Sequence, residues 1–307
     1  MSLRFGTGGI PLSTKNRSAI EGVRRIRELG LESMELEFVY NIFINEKQAQ
    51  VLRTEAEKLD VALSVHASYY INLASYNKQK WHASINRIEK SALIGHLAGA
   101  RYVTFHAGFV QGRSEDTVYP LVKTGIMKVL EYLKRNSLNI KITPELTGKP
   151  TQWGDLVELI HLAKDVNNKQ LGFCVDFAHQ HARSNGKYNS QGEFKAMLDD
   201  IADNLGGQFL KDMHIHISGI NYSPKGERNH LTLLGPEEEY NKINLRVEGL
   251  SDYYANLSKK NKVGPSDLDW IELLGVLKEY KVEGIVVCES PNLEQDALLL
   301  QKTYQKL

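Results

Sequence analysis

The stretch QLGFCVDFAH, residues 170–179, decides how the rest of the chain reads. It is apolar for most of its length, then closes on Asp176 and His179, with His181 just beyond. A short apolar run of this kind predicts a buried strand. One that ends in an acid and imidazoles delivers titratable groups to one edge of a sheet. Seven other stretches repeat the form: RFGTGG (4–9), SMELEFV (33–39), VALSVHAS (61–68), RYVTFHAG (101–108), LNIKITPEL (138–146), FLKDMHIHISG (209–219) and EGIVVCES (283–290). Each is followed by a helix or by a loop that leads to one. Strands alternating with helices predict βα units and a parallel sheet. No linker rich in Pro, Gly or Ser interrupts them, so the expected fold is α/β, a (β/α)8 TIM barrel formed as a single domain by residues 1–307.

The helices between the strands have legible ends. STKNRSAIEGVRRIRELG (13–30) offers Ser and Asn as caps, places Ile20, Val23, Ile26 and Leu29 on one face, and stops at Gly30. SEDTVYPLVKTGIMKVLEYLKRNS (114–137) begins acidic and ends basic, as the helix dipole favours. One connection is irregular. About residues 220–265, after the seventh strand, form a long βα loop, and loops of that length are usually functional or disordered. In a barrel such a loop stands on the catalytic face.

Composition sets outer limits. The chain has 307 residues, 42% of them hydrophobic, enough for a sizeable core. A net charge of +1 gives no global basic excess, which counts only weakly against a nucleic-acid partner. Cys174 and Cys288 lie in apolar runs, where a thiol acts as a small hydrophobe, and a reducing, cytoplasmic setting is expected. The opening MSLRFGTGGI lacks the apolar core of a signal peptide, and no stretch reaches the roughly 18 apolar residues of a membrane span. A monomer without a membrane partner is expected.

The polar strand ends form a set: His66, His106, Glu145, Asp176 with His179 and His181, His214 with His216, and Glu289. Of ten histidines, six take such positions and His230 falls in the long loop, which leaves only His82, His96 and His161 for helices. A barrel converges these ends on one mouth. Histidine, aspartate and glutamate without cysteine suit zinc, manganese or iron, and a cation offsets the repulsion among Glu145, Asp176 and Glu289. His214 and His216, two apart, share a face, so both could point inward or only the first could reach the mouth. His181 lies past the expected strand end and reads as a loop residue. The tyrosines of SYYINLASY (68–76) are consistent with packing, and Lys225 and Arg228 with solvated loop charge.

With these residues in hand, the chain resembles endonuclease IV, the zinc-dependent apurinic/apyrimidinic endonucleases on the xylose-isomerase-like barrel. The resemblance runs almost end to end, through VHASYYINL (65–73), TFHAGF (104–109), TPELTG (143–148), CVDFAHQHA (174–182), DMHIHISG (212–219), GERNHLTL (226–233) and VCESP (287–291). It implies up to three zinc ions. His66 and His106 match the ligands of a first, and Glu145 the bridge to a second. Asp176, His214 and Glu289 match the remaining ligands of that second, and His179 and His230 serve a third. Where the family has an aspartate two before that last histidine, this chain has Arg228, and Glu227 is the substitute. His216 stands where the family commonly has asparagine, so the ligand on that strand could shift by two.

The resemblance further implies hydrolysis of the phosphodiester on the 5′ side of an abasic site in double-stranded DNA, leaving a 3′-hydroxyl. Glu145, Asp176 and Glu289 would be the catalytic carboxylates. Tyr69 and Tyr70 match residues that press into DNA at the lesion, and Lys225 and Arg228 would meet flanking phosphates. A sugar isomerase or epimerase on the same barrel is the chief rival, because Glu145, Asp176, His214 and Glu289 would suffice for it. The other histidines are surplus to that chemistry. A third reading is a DNA-binding barrel that finds lesions without cutting.

Overall fold

The eight runs become eight parallel strands: β1 (Leu3–Gly8), β2 (Ser33–Glu37), β3 (Ala62–His66), β4 (Tyr102–Phe105), β5 (Lys141–Pro144), β6 (Cys174–Asp176), β7 (Met213–Ile217) and β8 (Gly284–Cys288). The structure is a computed structural model and describes residues 3–245, 247–248, 250–260 and 262–307. The strand order is β5-β4-β3-β2-β1-β8-β7-β6. Isolated parallel bridges, Ile142 to Leu171 and Glu145 to Cys174, join the two outer strands and nearly close the barrel. The chain thus forms the expected (β/α)8 barrel.

Alternation along each strand separates two environments. Leu63, Val65, Val103, Ile142, Val175 and Ile215 pack outward in the main core between barrel and helices. Ala62, Tyr102, Ile285 and Val287 form a separate apolar plug. The titratable strand-end residues lie on the same strand faces as this plug, further toward the C-terminal ends. The helices follow their sequence signals. The first runs Ala19–Glu28, with Ser18 accepting a hydrogen bond from the Glu21 N–H and with Val23 and Ile26 buried. The fourth long helix, Glu115–Arg135, keeps acids in its first turn and bases in its last.

Two expectations change. The strand expected over 170–179 is regular only at Cys174–Asp176, and a short helix, Phe177–Arg183, follows at once. Asp176 causes the break, because its carboxylate accepts the His179 N–H at 2.7 Å and caps that helix. His181 is therefore helical and fully buried rather than a loop residue. The long loop carries structure of its own: a hairpin of Gly219–Ser223 and Gly226–Leu231, then helices Glu237–Lys242 and Ser251–Lys259. It is tied to the barrel by the Tyr240 hydroxyl, which donates to Asp296 at 2.5 Å, and by Gln295 Nε2, which donates to the Leu245 carbonyl at 2.7 Å. Among the described residues no helix is long and apolar enough to cross a membrane.

Candidate metal centre

Three groups of donors meet at the C-terminal mouth, each with its ligand atoms within 4.8 Å of one another: His66, His106 and Glu145; Glu145, Asp176, His216 and Glu289; His179, Glu227 and His230. In the first, Nε2 of His66 and Nε2 of His106 each lie 3.2 Å from Glu145 Oε2. In the second, Nδ1 of His216 is 3.3 Å from both Glu145 Oε1 and Glu289 Oε1. In the third, Glu227 sits 3.5 Å from His179 Nε2 and 3.9 Å from His230 Nε2.

Strand ends deliver most of these groups, and backbone carbonyls aim several of them. His66 Nδ1 lies 2.8 Å from the Ala67 carbonyl, His179 Nδ1 3.0 Å from that of Leu146, and His230 Nδ1 3.1 Å from that of Glu289. Each of these rings can donate its Nδ1–H backward and leave Nε2 for the centre. The hairpin supplies Glu227 and His230 and leans on Gly148, whose carbonyl accepts the Glu227 N–H at 2.9 Å. A Cβ on Gly148 would stand 2.7 Å from Glu227 Cβ and 2.9 Å from His179 Cδ2, so the glycine permits this approach. Glu227 thus points at the third group from the position next to Arg228, which is exposed.

His214 lies apart from these three groups, in a deeper one with Cys174 and His216. His216, not His214, stands level with Asp176 across β6 and β7, whereas His214 pairs one layer deeper with Cys174. His214 stacks on Tyr102 with ring centroids 4.8 Å apart, and its Nδ1 lies 3.2 Å from Thr143 Oγ1. Both rings share one face of β7, and depth along the strand decides which reaches Glu145 and Glu289. Glu35 and Glu37 are additions. They pair in register with Ser64 and His66 of β3 and join Glu289 in a further acidic group. Met34, Leu36 and Phe38 make SMELEFV look half solvent-facing, but in a barrel the second face is the lumen.

The electrostatics explain why this set fits bound cations. Burial opposes charge on Glu37, His66, Asp176 and Glu289. Burial lifts Glu37 to about 8 and Asp176 to about 6. Glu289 instead falls to about 2, because the His216 charge and hydrogen bond outweigh its burial. Burial works against the charged His66 ring, yet the hydrogen bond and charge of Glu145 raise it to about 10. These protons compensate an excess of like charges, which is the role divalent cations fill in such sites. Asp176 Oδ2 is buried without a hydrogen bond, 3.2 Å from His179 Nδ1, a position from which it can serve a cation. The all His/Asp/Glu donor set suits zinc, manganese or iron.

Around the mouth, Tyr69 and Tyr70 are exposed at 52% and 62%. Tyr69 meets Tyr40 edge-on at 5.7 Å and lies the same distance from His66. Lys225 and Arg228 are exposed on the hairpin. His181 does not join the donors: its Nε2 contacts Asp267 at 3.1 Å, and the Tyr222 hydroxyl donates to the same acid at 2.6 Å. The three residues brace the short helix against the hairpin.

Comparison with known proteins fits this architecture. An uncharacterized protein of Methanocaldococcus jannaschii is 36% identical over 99% of this chain and 98% of its own. A probable endonuclease 4 of Mycoplasma genitalium is 28% identical, over 54% of this chain and 56% of its own. Among solved structures, a D-tagatose 3-epimerase-like protein superposes with a TM-score of 0.70 at 18% identity, covering 99% of this chain and 97% of that one. Endonuclease IV from Thermus thermophilus superposes with a TM-score of 0.66, also at 18% identity, covering 99% and 98%. At such identity these two structures share the fold. The xylose isomerase-like TIM barrel model matches residues 23–305, and the chain belongs to that family.

Proposed function

We propose that this protein is a zinc-dependent, or manganese- or iron-dependent, DNA-repair hydrolase that cuts the phosphodiester 5′ to an abasic site and leaves a 3′-hydroxyl. The observation that carries this reading is the three adjoining donor groups, two of them sharing Glu145. His66, His106 and Glu145 would hold one cation, Glu145, Asp176, His216 and Glu289 a second, and His179, Glu227 and His230 a third. Bound there, the metals supply Lewis acidity, lowering the pKa of water and offsetting phosphate charge. The protein's own groups do the positioning. Asp176 Oδ1 is tied to the His179 N–H, so Oδ2 is the carboxylate oxygen turned to the donor group, and Asp176 and Glu145 would flank and orient an attacking water. Tyr69 and Tyr70 offer rings on which unstacked bases rest, and Lys225 and Arg228 reach flanking phosphates. We read the chain as a cytoplasmic monomer.

A sugar epimerase is the second reading, and Glu37 favours it. A carboxyl raised to about 8 by burial, beside Glu289, is suited to moving a proton next to a carbonyl. Two substrates separate the readings: a labelled duplex with one abasic analogue, and a panel of ketoses, each with zinc, manganese or iron supplied. Incision confined to the 5′ side of the lesion, lost on chelation and in His66→Ala, is expected. Intact duplex together with epimerised ketose would overturn the endonuclease in favour of the rival.

A further inference from the structure

His216 is turned the opposite way from its neighbours. His66 and His230 each place Nδ1 against a backbone carbonyl, whereas His216 directs Nδ1 into the centre, toward Glu145 and Glu289. Its Nε2 therefore points down the lumen, where Glu35 Oε1 lies 3.1 Å away. Glu35 is fully buried and fixed from the other side by Ser64, whose hydroxyl donates to Oε2 at 2.6 Å. The same Oε2 is 3.0 Å from His214 Nε2. Neither histidine contact has hydrogen-bond geometry as it stands, and a turn of the His216 ring would bring its Nε2–H onto the carboxylate.

We infer that Glu35 is a positioning residue for a metal at the Glu145–Asp176–His216–Glu289 group, holding the His216 proton on Nε2 so that Nδ1 is presented as the ligand. The inference rests on the metal-centre reading above and adds a residue from β2, a strand that supplies none of the three donor groups. Its basis is general: a histidine that ligates through one nitrogen donates the other N–H to an acceptor, which fixes tautomer and ring angle and raises ligand basicity. Glu35 is the carboxylate in contact with His216 Nε2. Ser64 and His214 then hold Glu35, which gives the lower lumen a reason to be polar.

The test compares wild type with Glu35→Gln and Ser64→Ala. Zinc competition against a chromophoric chelator should show one site weakened roughly 10- to 100-fold in Glu35→Gln. Ser64→Ala, which keeps the carboxylate but frees it, should weaken the same site less. Cobalt(II)-loaded Glu35→Gln should show an altered visible spectrum. Because a buried variant can fail to fold, the wild-type protein provides an independent readout: nitrogen NMR of the zinc-loaded form should place the His216 proton on Nε2. Equal zinc affinity and superimposable cobalt spectra, or a proton on Nδ1, would overturn the assignment while leaving the metal centre standing. A wild-type protein that takes up neither zinc nor cobalt would overturn both.

Discussion

The two ends of the barrel hold charge in opposite ways. At the foot, Asp212 meets Arg101 at 2.6 Å, the Tyr102 hydroxyl at 2.5 Å and Lys141. A cleft of about 420 Å³ opens there, lined by Arg53, Arg101, Lys141 and Lys169 among others. Its one acid is nonetheless fully engaged. At the mouth, Asp176 Oδ2 and Glu37 Oε1 are buried without hydrogen-bond partners, and acids crowd against acids. Charge that is closed on itself stabilises a fold, whereas buried polar atoms left without hydrogen bonds mark a candidate ligand site.

The largest expected effect is Glu145→Gln, because Glu145 serves two donor groups at once. Metal content should drop at both, and incision of abasic DNA should fall by several kcal/mol of transition-state stabilisation, on the order of 10³-fold or more. Metal analysis and kcat/KM measure this. If Glu145→Gln keeps full metal and rate, the mouth is no more open than the foot.

Next is the response to pH of the chelated protein. Asp176, Glu37 and His66 have folded-state values raised to about 6, 8 and 10. Each contributes stability that is complete below its unfolded value and is lost as pH rises through the folded one. Thermal unfolding of the chelated protein should therefore give a Tm that falls from about pH 5 to pH 10. Metal should largely remove the slope. The foot behaves oppositely: burial works against the Asp212 charge, but Lys141, Tyr102 and Arg101 together hold its carboxyl below the usual range. Its contribution is present above the unfolded value and lost only on acidification.

Smaller still is Tyr69→Ala. Loss of one stacking ring costs about 1–3 kcal/mol, so affinity for abasic duplex should weaken roughly 5- to 150-fold with zinc content unchanged. Fluorescence anisotropy at fixed salt would measure it. The smallest effect on activity belongs to Asp212→Asn. It should cost about 1–2 kcal/mol in denaturant unfolding and leave metal content and turnover at wild-type values. Loss of turnover in the folded variant would break the division between the ends.

The barrel was legible because apolar runs of strand length recur with helical spacing between them, and the mouth because polar residues recur at the same end of each run. Glu35 and Glu37 were not legible. Alternation in SMELEFV reads as one buried and one solvent face, and only pairing with Ser64 and His66 turns that second face into the lumen. Once a barrel is accepted, register against a strand with a known inward histidine is the signal that would find them. His181 was misplaced for a local reason, since the capping role of Asp176 turns the expected end of a strand into a helix.

The sequence by itself determined the fold, the end of the barrel where chemistry collects and the residue types gathered there, because periodicity and residue chemistry are local properties. Tertiary structure alone decided that His216 rather than His214 faces Glu145 and Glu289, that Glu227 reaches His179 and His230, and that β2 contributes acid to the lumen. Those are questions of depth along a barrel axis and of which strands lie side by side. Both are fixed only when the sheet closes.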